Sequence, residues 1–69
     1  MQQWDHRYVS IDVRPEGAFV TQVDGARVRD LRLSEFLRDA GPYGWELAGT
    51  WPTSPTSGFL FFKRPKPGG

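Results

Sequence analysis

"GPYGWELAGTW", residues 41–51, holds two of the chain's three tryptophans and three of its eight glycines. Such a mixture is either the flexible rim of a ligand pocket or a helix-to-strand junction feeding a core. The flanking sequence decides for the junction. Upstream, Leu33, Phe36, Leu37 and Ala40 fall at i, i+3, i+4 and i+7, the spacing of one helical face. Asp30 or Ser34 is expected to cap that helix at its start, and Gly41 with Pro42 to end it. Gly44 then closes the turn and a strand begins at Trp45. On regular alternation Trp45, Leu47, Gly49 and Trp51 share the face turned to the helix, and Glu46, Ala48 and Thr50 the other. Gly49 is expected to provide clearance for something packed too close for a side chain. The expected core is therefore Trp45, Leu47 and Trp51 from the strand with Leu33, Phe36 and Leu37 from the helix.

Before the helix the chain reads as strands. Residues 4–13 are rich in aromatic and β-branched types, with Val9, Ile11 and Val13 in one row and Trp4 and Tyr8 in the other. "RPEG" (14–17) is a turn, "AFVTQV" (18–23) a second strand, and "DG" (24–25) a strong two-residue hairpin signal. A short third strand over 26–29 completes a meander. After the junction strand, "PTSPTSG" (52–58) reads as a polar loop and "FLFFKR" (59–64) as the last strand. The expected fold is α+β: an antiparallel sheet of about four or five strands in the order β-β-(β)-α-β-β, with one helix on one face. Residues 1–64 form a single domain and 65–69 a Pro/Gly tail.

Three stretches taken together, "WDHRYV" (4–9), "AGPYGWEL" (40–47) and "FKRP" (62–65), resemble a family of short bacterial and phage domains, domain of unknown function family 4177. The resemblance spans roughly residues 4–65 and is closest at Gly44–Leu47 and Phe62–Pro65. His6 stands where the family usually has an aromatic ring, and Pro42 and Tyr43 replace a small and acidic pair. The resemblance implies a small α+β domain with an antiparallel sheet and one helix. It carries no activity and no catalytic residue.

Composition excludes more than it identifies. Sixty-nine residues support one core, and a core that small leaves stability marginal without a further stabiliser. There is no cysteine and one histidine, which removes disulfides and thiolate metal sites, so no metal and no cofactor is expected. A net charge of +1 is no footprint for nucleic acid or an anionic membrane. The longest apolar run, "FLFF", is far below a membrane span, and the first ten residues lack the pattern of a signal peptide. A cytoplasmic location is the expectation.

Catalysis finds no support. Asp5 and His6 adjoin, but no nucleophile elbow surrounds Ser10, Ser34, Ser54 or Ser57. Glu46 is expected to face outward or to pair with a basic residue across the sheet. "SGFLFFKR" (57–64) is a poor version of an RNA-binding sheet motif: Ser57 replaces its basic first residue, Leu60 its small residue and Arg64 its last aromatic. Arg27, Arg29, Arg32, Lys63, Arg64 and Lys66 could form a basic rim.

The function expected is a non-enzymatic interaction or accessory module. Both the first and last strands are apolar on two faces, while one helix covers one, so self-association, most simply as a dimer, is expected. Trp4, Tyr8, Phe59 and Phe61 are the candidate interface, although the register that would unite them is not legible. The alternatives are single-stranded nucleic-acid binding by the same aromatic face and small-ligand binding there or at the 52–58 loop.

Overall fold

The computed structural model describes residues 3–66. Strands β1 (Trp4–Arg14), β2 (Gly17–Val23) and β3 (Ala26–Arg32) lead into helix α1 (Leu33–Ala40), and β4 (Glu46–Ser54) and β5 (Ser57–Pro65) follow. The strands form one antiparallel sheet in the order β3-β2-β1-β5-β4. The first strand is thus central and pairs along almost its whole length with the last, from Trp4 opposite Pro65 to Asp12 opposite Ser57. An α+β fold with one helix on an antiparallel sheet is what the sequence patterning predicts.

Local chemistry explains the first turns. At the β2–β3 hairpin both Asp24 (φ 51°) and Gly25 (φ 85°) take positive φ, the conformation two-residue hairpins favour and Asp-Gly tolerates. Asp24 also clasps β1: its N–H donates to the Tyr8 carbonyl, and its carboxylate accepts from the Tyr8 N–H and Arg7 Nε. Beside it, a Cβ on residue 25 would lie 2.9 Å from the Tyr8 hydroxyl.

Helix α1 connects one edge of the sheet to the other. It leaves β3 where Arg32 pairs with Phe19, crosses one face, and returns at Glu46 opposite Lys63. Phe36 and Ala40 lie against Val9, Val20 and Phe62, and this cluster is the core. The Phe36 and Phe62 rings meet at 5.6 Å with planes tilted by 60°. Leu33 and Trp45 pack on its margin, joined by Ile11, Val23, Val28, Leu31 and Leu60. Phe19 is buried separately on the opposite face, with the guanidiniums of Arg14 and Arg32 over its ring at 4.7 and 5.2 Å.

Several expectations are corrected. Strand β4 does not alternate regularly: Leu47 pairs with Phe62, but Gly49 pairs with Phe61, so Ala48 is a bulge residue. One extra residue turns everything after it to the other face. Trp51 is therefore 65% exposed on the face away from α1 and is not core. Leu47, on the helix-side face but at the sheet edge, is 55% exposed, and Leu37, at the rim of the helix, is 45% exposed. Gly49 provides no clearance within the chain, since a Cβ there would meet nothing within 4 Å.

The helix ends also differ. Arg32 occupies the N-cap with no side-chain cap bond, and Ser34 lies inside the first turn. Gly41 is right-handed; the chain continues through a 3-10 turn, Gly41–Tyr43, and the left-handed residue is Gly44 at φ 83°. The third strand runs on to Arg32, and 52–58 is mostly strand rather than loop. Proline is tolerated in β4 because that strand is an edge. Hydroxyl bonds tighten the bend around Pro55 and Thr56, with Ser54 Oγ 2.7 Å from Ser57 Oγ. Pairing continues past the expected tail boundary, since Pro65 lies in β5 and the Lys66 N–H donates to the Gln3 carbonyl; residues 67–69 lie outside the described part.

Phe62→Ala should cost about 3–5 kcal/mol, close to the entire stability of a domain this small. Leu37→Ala should stay within about 1 kcal/mol. Urea denaturation followed by circular dichroism compares them, and equal losses would mean the core is not where Phe62 meets Phe36.

Candidate functional site

The β1–β5 and β4–β5 registers bring Trp4, Tyr8, Phe59, Phe61 and Trp51 onto the face that α1 does not cover. Tyr8 lies opposite Phe61 and Ser10 opposite Phe59, so Phe59 and Phe61 belong to the row of Trp4 and Tyr8. Gly49 then lies opposite Phe61, and Trp51 opposite Phe59. Tyr8 and Phe59 meet edge to face at 6.3 Å, and Phe59 and Phe61 stack at 6.5 Å. Trp4, Tyr8 and Phe61 are between 37% and 40% exposed. The sequence brings the first four of these residues to notice. It misses Trp51, because nothing in "WELAGTW" marks the bulge except the small pair Ala48-Gly49.

Charge frames this face without dominating it. Next to the rings, Lys63 Nζ lies 4.4 Å from the centre of the Trp4 indole and 3.8 Å from Glu46 Oε1. His6, exposed, is the cross-strand neighbour of Lys63. At the other end Asp12 accepts from Arg14 Nε at 3.0 Å. Glu46 thus pairs across the sheet with a basic residue.

A second feature is the cleft of about 310 Å³ at the end of α1, lined by Arg7, Phe36, Asp39, Ala40, Tyr43, Trp45 and Arg64. Trp45 is half-buried there beneath two guanidiniums, Arg64 at 4.4 Å and Arg7 at 5.0 Å from its ring centre. Both cations are engaged. Arg7 Nε donates to Asp24. Arg64 donates to the Tyr43 carbonyl, and its buried Nε lies 3.6 Å from Asp5 Oδ2, which is an electrostatic pairing and too long for a hydrogen bond. The cleft secures the helix exit to the sheet and presents no convergent set of groups to a ligand. A third, apolar groove opens on the helix side beyond the reach of α1, where Ile11, Val13, Pro52 and Leu60 line about 290 Å³.

The basic rim is dispersed. Lys63 pairs with Glu46, Arg64 and Lys66 share Asp5, and Arg32 donates to the Glu16 carbonyl and covers Phe19. Among the described residues no group of three or more His, Cys, Asp or Glu could hold a metal ion, and no helix is long and apolar enough to cross a membrane. Comparison with protein-family models, with curated proteins and with solved structures finds no match for this chain.

Arg64 and Lys66 share one carboxylate but differ in packing, which separates their effects. Arg64→Ala removes a cation from Trp45 and a donor from Tyr43, and should cost about 1–2 kcal/mol. Lys66→Ala, whose ammonium is 3.9 Å from Asp5, should cost no more than about 0.5 kcal/mol. Equal effects in urea melts would reduce Arg64 to a surface charge.

Proposed function

We propose that this chain is a non-enzymatic interaction module that works through the sheet face opposite α1, and that a second copy of itself is the partner. The observation that carries this reading is the row of exposed rings, Trp4, Tyr8, Phe61 and Trp51, on a face no element of the described chain covers. At roughly 200 Å² per ring, their exposed fractions present on the order of 350 Å² of aromatic surface per copy. Removing that from water contributes about 9 kcal/mol per copy, against an association cost of roughly 4–15 kcal/mol. A patch of that size matches the largest one on a typical monomer, and such patches are often functional. The same proposal includes a cytoplasmic location and the likeness to family 4177 that Gly44–Leu47 and Phe62–Pro65 carry.

Base stacking on the same rings is less well supported, because the neighbouring cations are paired with carboxylates. It makes an opposite prediction: anisotropy with single-stranded oligonucleotides should show binding that falls steeply with salt.

The test is mass by light scattering during gel filtration, from submicromolar to high micromolar protein. The wild type should reach twice the chain mass within that range, and Phe61→Glu should remain at one while keeping its circular dichroism spectrum. A monomer at every concentration, with no binding of an apolar dye, would sink the reading.

A further inference from the structure

The geometry points to a definite dimer: two sheets stacked face to face about a two-fold axis lying along the Val9–Leu60–Thr50 row, with Trp51 of each copy seated over Gly49 of the other. This rests on the self-association proposed above and specifies how it is built.

The starting observation is a glycine without a cause inside the chain. Gly49 has no positive φ, so the backbone does not require it. A Cβ there would meet nothing within 4 Å, so packing does not require it either. Glycine in a strand is destabilising, which leaves a cost with no local return. Its place explains it: Gly49 lies beside Phe61 and two residues from Trp51 on the open aromatic face. It is a notch on a surface of rings.

The rows across β1, β5 and β4 then decide what fills the notch. One row reads Tyr8–Phe61–Gly49 and the next on that face reads Ser10–Phe59–Trp51. Between them runs Val9–Leu60–Thr50, whose side chains point the other way. A two-fold axis along that middle row lays each of the two rows on the partner's other row. Tyr8 then faces Ser10, Phe61 faces Phe59, and Trp51 faces Gly49. Every large residue meets a small one or a ring of equal size, as close-packed layers need. The outer rows carry His6, Lys63 and Glu46 toward Asp12, Ser57 and Ser54, and the Lys63 and Asp12 charges each keep an opposite charge beside them in their own chain, Glu46 and Arg14. The slab measures 43 × 22 × 18 Å, so its broad face is of the size of the roughly 800 Å² per partner in an ordinary interface.

The edges of the sheet argue against pairing by strand addition. Edge strand β4 carries two register shifts and Pro52, and edge strand β3 carries a register shift with Arg27, Arg29 and Arg32. Bulges, proline and charge are the means by which edges resist joining. The open face remains.

Exchanging the two sizes tests the arrangement, because a two-fold axis makes the exchange self-compensating. G49W puts large against large and should weaken dimerisation at least tenfold. W51G puts small against small and should weaken it similarly. The double variant G49W/W51G restores large against small and should return to within about threefold of wild type. Sedimentation equilibrium measures the three constants, with circular dichroism confirming that each chain is folded; position 49 is open, so the fold should persist. A G49W dimer as tight as wild type, or a double variant as weak as the product of the single effects, overturns this arrangement while a dimer sensitive to Phe61→Glu would leave the interface reading standing. A monomeric wild type overturns both.

Discussion

The contact between Phe36 and Phe62 is the constraint on which the remaining structure depends. It joins helix α1 to strand β5, and Val9 and Val20 close around it. Eight helical residues span only about 12 Å, against a sheet more than three times as long. The helix must therefore lie over the middle, and only a few apolar side chains are fully removed from water. The ends of the sheet on the helix side, and the whole of its opposite face, are left to other means: guanidiniums over Trp45 and Phe19, carboxylates beside the cations, and exposed rings in van der Waals reach of one another.

What the sequence makes legible are the features set by neighbours in the chain. Asp24-Gly25 marks a hairpin through backbone conformation, and Leu33, Phe36, Leu37 and Ala40 mark a helix through period. Both act over a few residues and both hold. The side on which Trp51 lies depends instead on one unpaired residue at Ala48, fixed by the pairing of β4 with β5. Alternation carries no trace of such an insertion. Likewise 52–58 has the composition of a loop, yet its partner strand and edge position make it strand. Leu37, Leu47 and Trp51 have the period of core residues but are exposed, because a large apolar residue is core only where another element covers it. The candidate face was half legible: the four rings stand out by type, but their union on one face follows from register.

The distribution of charge is consistent with a surface specialised by subtraction. Among the described residues, Arg7 with Asp24, Arg14 with Asp12 and Lys63 with Glu46 are balanced one to one, and Arg64 and Lys66 share Asp5. Surface pairs of this kind add little stability. They do suppress any strong field, leaving shape and apolar area as the means of discrimination. Arg14 and Arg32 illustrate the economy, since the same two side chains shield the Phe19 ring and keep a polar exterior at that corner.

The pairing of Trp4 with Pro65 across the central strand has a consequence for biosynthesis. The ribosome releases β1, β2 and β3 early, and the two hairpin pairings among them are local. One side of β1 then has no partner until β5 emerges, some fifty residues after the strand it must join. Phe36 lacks Phe62 for the same interval. The nascent meander therefore waits with an unpaired strand edge and an unfilled core, and closes late in a single long-range step. During that interval the open edge of β1 is the part most exposed to holdase chaperones.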